Sequence, residues 1–185
     1  MTITTIVTES GAVDHVRVRG VREGDHALVG AVYEGLSARS RLLRFHGPVP
    51  RIPDRYIAQL ARVAVGERCG VLALAGDRPI GHGQWVRDHA DPATAELALA
   101  VVDDWHGRGA GLAMCADLAA AAQRAGIRDF TCLVLGENRV VRRVLSRIGA
   151  RPRPGAYDEF LLPVDVLATS LVTETPARLP RTAVA

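Results

Sequence analysis

The sequence predicts a mixed α/β domain, and three observations carry that expectation. Strand-like alternation, as in HVRVRGV at residues 15–21, recurs between segments whose apolar residues fall at helical spacing. Residues 94–112, TAELALAVVDDWHGRGAGL, run from a half-buried strand through a glycine-rich turn into a helix. Residues 129–135, DFTCLVL, form a short, nearly continuous apolar run, as expected of a strand covered on both faces.

Taken in order, GDHALVGAVYEGLS (residues 24–37) predicts a helix with Asp25 as N-cap, and Ser37 caps a second short helix through ARSRLLRF. Pro48, Pro50 and Pro53 break the chain before a helix restarts at Asp54 in DRYIAQLARVA. CGVLALAG, the turn Gly76-Asp77-Arg78-Pro79 and IGHGQWVRD read as a β-hairpin, and AELALAVV is the next strand. GAGLAMCADLAAAAQRAG is an alanine-rich helix ended by Gly126. NRVVRRVLSRIG is a helix opening near Asn138 and closed by Gly149, and EFLLPV supplies a last strand. Residues 1–164 are expected to form one domain, and residues 165–185, where periodicity fades, a loosely held tail.

Composition sets modest bounds. At 185 residues, 48% hydrophobic and 23% charged, the chain has enough material for a core without metal or disulfide staples. Its net charge of +3 is carried entirely by arginine, since there is no lysine. That bias suits a polyphosphate ligand or an acidic partner and is too weak to argue for nucleic acid. No apolar run reaches membrane-spanning length, and MTITTIVTES lacks the basic and long apolar parts of a signal peptide. Cys69, Cys115 and Cys132 are scattered and lack metal-ligand spacing, so no metal site is expected. Reduced, buried thiols in a cytoplasmic protein are the reading they favour.

The turn His106-Gly107-Arg108-Gly109-Ala110-Gly111 concentrates the chemistry. Glycines let a ligand approach the backbone, and free N–H groups at a helix N-terminus favour phosphate. Arg108 can add a charge-assisted contact. The same glycines could instead serve only a tight strand-to-helix turn. A dinucleotide site would need its glycines after the first strand and an acidic residue ending the next, and this turn comes late, after a hairpin. Glu96 lies in the preceding strand, sharing a face with Ala98, Ala100 and Val102 while Leu97, Leu99 and Val101 share the other. Among small apolar neighbours its carboxylate should lose hydration, which suits a base. Pairing with one of the 23 arginines is the structural alternative.

These residues resemble the acyl-CoA-binding motif of the GNAT N-acyltransferase superfamily, Gln/Arg-x-x-Gly-x-Gly/Ala, with His106 where Gln or Arg is usual. The strand after it and the Asn138 helix ending Ser-Arg-Ile-Gly-Ala are similar to the family's next block, and the likeness spans roughly residues 15–163 in element order. The resemblance implies a mostly antiparallel mixed sheet, with a V-shaped slot splayed between two central parallel strands and helices on both faces. A bulge in the strand carrying Glu96 would open that slot. It implies acetyl-CoA as co-substrate, with Gly107, Arg108, Gly109, Ala110, Gly111 and Leu112 wrapping the pyrophosphate. The backbone of Leu99, Ala100 and Val101 would pair with the pantetheine arm. Asn138 is either a ligand contact or a helix cap.

Glu96 is then the implied general base, acting through water. Many family members carry a tyrosine, seven residues after the helix-opening asparagine, that protonates the CoA thiolate; here that position is Leu145. SARSRLLRFHGP at residues 37–48 is similar to the Ser-x-x-Ser-x-x-x-Arg-Phe run of bacterial Pat-type protein lysine acetyltransferases. Arg39, Arg41 and Arg44 could face an acidic protein or the CoA 3′-phosphate, or form a solvated helix face. The resemblance implies an N-acetyltransferase acting on a protein lysine by direct attack in a ternary complex. A small-amine acetyltransferase and a non-catalytic acyl-CoA sensor are the alternatives. The acceptor, a protein or small amine, is the expected partner; a homodimer is allowed, and no membrane or nucleic acid is expected.

Overall fold

A computed structural model describes residues 2–7 and 13–173. Its strands are β1 (Thr2–Val7), β2 (Val13–Gly20), β3 (Arg68–Ala75), β4 (Arg78–Arg87), β5 (Thr94–Val101), β6 (Asp129–Leu133), β7 (Arg151–Pro152) and β8 (Glu159–Pro163). Its helices are α1 (His26–Glu34), α2 (Ala38–Phe45), α3 (Asp54–Leu60), α4 (Ala110–Arg124), α5 (Arg139–Arg147) and α6 (Val164–Thr173). The strands make one sheet in the order β1-β2-β3-β4-β5-β6-β8-β7, antiparallel throughout except between β5 and β6. One face carries α1 to α3 over a core of Val29, Val32, Tyr33, Ile57, Leu60, Leu72 and Ala100. The other packs Trp85, Leu97, Met114, Leu118, Phe130 and Leu167 beneath α4 and α6. The expected mixed sheet with helices on both faces is the observed architecture.

Small residues set how closely α4 lies on the sheet. A Cβ at Gly81 would stand 2.9 Å from the Met114 side chain, and one at Gly83 would stand 3.0 Å from Leu118. A side chain at either position would have to displace the end of Met114 or Leu118, so the glycines of IGHGQW let these two side chains of the long helix lie directly on β4. Ala119 and Ala122 complete the buried stripe of that helix.

Several local expectations are refined. Ser37 caps α2 by accepting the Ser40 N–H at 3.1 Å, as its position predicts. Asp25 precedes α1, but its carboxylate does not cap the helix. It accepts two bonds from Arg19, at 2.6 and 2.8 Å, and one from the Arg22 N–H at 2.7 Å. An ion pair with a guanidinium outcompetes a neutral amide for this half-enclosed carboxylate, and the Arg19 bonds hold Asp25 below the usual aspartate range. α3 stops at Leu60, four residues short of the apolar run. β1 and β7, at the edges of the sheet, have no counterpart in the sequence reading.

The loosely held tail from Asp165 is corrected over its first part. Residues 164–173 are helical, the Val164 N–H donates to the Arg128 carbonyl, and Leu167 is fully buried beside α4. In VDVLATSLVT the residues Val164, Leu167, Ala168 and Leu171 fall at helical spacing, and burial of Val164 and Leu167 in the core secures the segment. Residues 174–185 of the expected tail lie outside the described residues.

Candidate active site

The slot between β5 and β6 follows from register. The two strands pair in parallel only at Thr94–Asp129, Ala95–Phe130 and Glu96–Thr131. Beyond that point β5 stays with β4 as far as Gly81–Val101, while β6 stays with β8 to Leu133–Glu159. The Val134 N–H continues the β8 side by donating to the Asp158 carbonyl at 2.7 Å. Each strand follows its other neighbour, and the sheet divides between them. The bulge expected in β5 is absent, because its register with β4 runs without a break; the irregularity lies in β3–β4 at Ala73/Leu74.

Register also decides which backbone groups face the slot. The Val102 N–H donates to the Ile80 carbonyl, so even-numbered residues of β5 point their backbone at β4 and odd-numbered ones point it at β6. Leu99 and Val101 therefore present their backbone to the slot. Ala100 does not, since its N–H and C=O belong to the pairing with His82. The Val101 carbonyl is occupied as well, accepting His106 Nε2–H at 2.8 Å. Of the three residues expected to meet a pantetheine arm, Leu99 offers both backbone groups and Val101 its N–H.

The glycine turn stands at the mouth of that slot. After a tight turn at Asp103–Trp105, Gly107 and Gly109 take left-handed φ values of +71° and +85°, which side chains resist. Gly109 is the N-cap of α4, so the N–H groups of Ala110, Gly111 and Leu112 are the free first-turn donors of a fifteen-residue helix. Among the described residues, the N–H groups of Gly107, Gly109, Ala110, Gly111 and Leu112 donate to no protein acceptor. A Cβ on Gly107, Gly109 or Gly111 would meet nothing within 4 Å, so the cradle opens outward. Such a set of donors at a helix N-terminus fits a pyrophosphate. The Arg108 guanidinium stacks on the Trp105 ring, 5.1 Å from its centroid, at the edge of the cradle.

Glu96 sits where the strands part, on the face that carries α1 to α3. Ala98 and Ala100 follow it on that face, and their cross-strand partners Gln84 and His82 join them. Burial deepens along the row, from exposed Glu96 through half-buried Ala98 to buried Gln84, Ala100 and His82. The dehydration expected of Glu96 is thus absent: the carboxylate lies at the open end, and its apolar neighbours lie further in. It is near enough to Cys132 to help raise that thiol, whose main perturbation is burial.

At the closed end His82 Nδ1 and the Tyr33 hydroxyl share a hydrogen bond of 2.9 Å. Burial, with the Arg44 and Arg68 charges, holds the imidazole down to about 3, so it is neutral at ordinary pH. Burial likewise pushes the Tyr33 phenol up. The pair is a packed core contact rather than an acid–base couple.

The Ser-x-x-Ser pattern has a structural task that the sequence did not disclose. Asp103 accepts the Ser37 N–H at 2.9 Å, the Ser37 hydroxyl at 2.7 Å and the Ser40 hydroxyl at 2.9 Å. Burial alone would raise the Asp103 carboxyl, but these donors outweigh it and leave it lowered. They tie the start of α2 to the turn leading into the cradle. The three arginines of the same helix diverge. Arg39 pairs with Glu137 across the mouth at 3.0 Å, Arg41 donates to the Leu36 and Val49 carbonyls, and Arg44 stacks on Phe45. They do not form one basic face.

Asn138 caps α5, its side-chain oxygen accepting the Val141 N–H at 3.3 Å, which leaves its amide nitrogen for any ligand. Leu145 is buried in the core under α5, so the position where relatives place a tyrosine holds no proton donor. All three cysteines are free, and burial raises each thiol, Cys115 to about 12. Among the described residues no cluster of three or more potential ligands could hold a metal, and no helix is long and apolar enough to cross a membrane.

Comparison with known proteins agrees with this geometry. Over 71 residues, 38% of this chain and 21% of the relative, the sequence is 34% identical to the acetyltransferase Pat of Mycolicibacterium smegmatis. The chain thus spans about a fifth of that protein's length. The GNAT domain of Streptomyces lividans PAT superposes with a TM-score of 0.75 at 26% identity, covering 87% of this chain and 95% of that one. Salmonella typhimurium yncA, solved with its cofactor acetyl-CoA, shares the fold with a TM-score of 0.64 at 16% identity, over 81% and 94% of the two chains. The family model for the acetyltransferase (GNAT) domain matches residues 15–151, and the chain belongs to the GNAT acetyltransferase family.

Proposed function

We propose that this protein is an acetyl-CoA-dependent N-acetyltransferase whose acceptor is an amine, a protein lysine above all. The observation that carries the reading is the juxtaposition at the end of the β5–β6 pairing. An open strand edge at Leu99, a cradle built on the free amides of Gly107, Gly109, Ala110, Gly111 and Leu112, and a carboxylate at Glu96 lie on one short stretch of chain. Family membership and the likeness to Pat proteins support the acetyl donor, and the lysine acceptor is what the resemblance of residues 37–48 to Pat-type enzymes implies. Gly107, Gly109, Ala110, Gly111 and Leu112 would hold the pyrophosphate, with Arg108 flanking it and Asn138 offering its amide nitrogen. Leu99 and Val101 would guide the pantetheine arm.

In a ternary complex the amine nitrogen attacks the thioester carbonyl. A new C–N bond forms, the C–S bond breaks, and the amine's surplus proton passes through water to Glu96. The thiolate leaves and takes its proton from solvent, since Leu145 supplies none. Direct transfer is favoured over a covalent acyl-enzyme because raised thiols are poor nucleophiles near neutral pH. Free, reduced cysteines also fit a cytoplasmic setting.

Leu145 favours a second reading, an acyl-CoA sensor without turnover. Acceptor-dependent thiol release from acetyl-CoA separates the two, followed by mass-spectrometric mapping of labelled acetyl groups. An enzyme acetylates lysines of its acceptor; a sensor binds CoA and releases no thiol when acceptors are added. The chain contains no lysine, so every acetyl-lysine found comes from the acceptor.

A further inference from the structure

We infer that Gln84 is an acceptor-binding residue, its side-chain carbonyl receiving an N–H of the incoming amine between β4 and Glu96. The inference rests on the acetyltransferase reading above and adds a specificity-determining side chain to it. Gln84 is only 9% exposed, and its Oε1 is buried with no hydrogen-bond partner among the described residues. Buried amide oxygens are nearly always satisfied, because losing water without gaining a donor is costly. An orphaned acceptor inside a functional face is the signature of a group awaiting a donor.

Its position says which donor. Gln84 lies directly opposite Ala98, which puts it one diagonal step from Glu96 on the same sheet face. Diagonal neighbours on a sheet are ~7–8 Å apart, within joint reach of two long side chains. Ala98 between them contributes a single methyl. A primary amine there would give one N–H to the Gln84 carbonyl and its surplus proton, through water, to Glu96.

The other unpartnered polar atoms of this region are placed differently. Trp85 Nε1 belongs to the opposite face, under α4, and His82 Nε2 is sealed at the closed end, where nothing of the residue is exposed. Arg44 Nε, also buried without a partner among the described residues, is a donor rather than an acceptor, and its guanidinium keeps that end positive, close enough to His82 to help depress it. A cationic amine is thereby repelled from the inner end and finds its place at the outer one, beside Gln84 and Glu96.

The test is equilibrium binding of a lysine analogue, Nα-acetyl-lysine methylamide, to the protein–CoA complex of wild type, Gln84→Met and Gln84→Glu. Methionine keeps the length and removes the acceptor; glutamate keeps an oxygen in place. The expected result is a tenfold or greater rise in the amine Kd for Gln84→Met, with Gln84→Glu within threefold of wild type and CoA affinity within twofold in both. An unchanged amine Kd in Gln84→Met, or no binding to wild type, overturns the assignment. So does a loss of CoA binding or of folding in both variants, since that marks a structural role. Absence of turnover in the thiol-release assay, with amine binding intact and dependent on Gln84, would instead defeat the acetyltransferase reading alone.

Discussion

The two sides of the divided sheet are built from different materials. Toward the cradle, the chain offers backbone: the free amides of Gly107, Gly109, Ala110, Gly111 and Leu112, and the open edge of β5. Toward α1 to α3, it offers side chains: Glu96, Gln84, and the Asp103 carboxylate that ties down Ser37 and Ser40. A backbone site depends on φ and ψ and tolerates changes of side chain, whereas a side-chain site is lost one residue at a time. That contrast explains how His106 can replace the family's usual Gln or Arg without closing the cradle, and it says where substitutions should hurt most.

The largest effect is expected at the carboxylate. Glu96→Gln should lower acceptor-dependent thiol release by about 100-fold or more, the usual range for losing a general base. CoA affinity should stay within about twofold by direct titration, because neutralising one carboxylate leaves the cradle amides in place. If CoA binding fell as far as turnover, the two sides would not be separable and the contrast would break.

Asp103 comes next, because it joins the two regions. Asp103→Ala removes three hydrogen bonds to a charged acceptor, and a loss of ~2–3 kcal/mol in urea unfolding is expected. Its carboxyl is lowered in the folded state, so the wild-type contribution is present above the unfolded pKa and fades as pH falls through the folded value. The difference between wild type and variant should accordingly narrow in acid. A constant difference down to pH 3 would show that packing, not charge, holds α2.

His82 gives a smaller effect with the same kind of readout. Its pKa falls from the ordinary histidine value of 6.5 to about 3 on folding, so the unfolded chain binds the proton first. Stability is then highest above pH 6.5 and declines as pH drops toward 3, by ~1.4 kcal/mol at pH 5.5. His82→Gln should remove that part of the slope, other histidines being common to both proteins. Equal slopes between pH 7 and 5 would mean that the imidazole is hydrated in solution.

Much of this contrast was legible in the sequence on the backbone side and little of it on the other. Glycine spacing announces left-handed turns and a free helix end because those are local properties, so the cradle from Gly107 to Leu112 could be read directly. The period-two pattern of β5 placed Glu96, Ala98 and Ala100 on one face for the same reason. Register is not local. That Ala100 turns its backbone to His82, that β6 leaves β5 after Thr131, and that Gln84 lies opposite Ala98 all depend on strand pairings. The Ser37–Asp103 bonds join residues 66 apart in sequence, and a serine pattern gives no sign of such a partner. α6 does carry an apolar stripe at helical spacing, Val164, Leu167, Ala168 and Leu171, but it is only about two turns long, and what it packs against is set by the distant α4.

The smallest expected effects bear most directly on the backbone side. Gly109 holds φ at +85°, where a side chain costs ~1–2 kcal/mol, so Gly109→Ala should weaken CoA binding roughly five- to thirtyfold. Space is not the cause, since a Cβ there meets nothing within 4 Å. His106→Gln removes an imidazole but leaves every cradle amide in place, and glutamine can still donate to the Val101 carbonyl. Its CoA Kd should stay within about threefold of wild type, a change below about one kcal/mol. Isothermal titration of both variants ranks them. A His106→Gln effect as large as that of Gly109→Ala would mean that the imidazole itself touches the ligand, and the cradle would no longer be a site made of backbone.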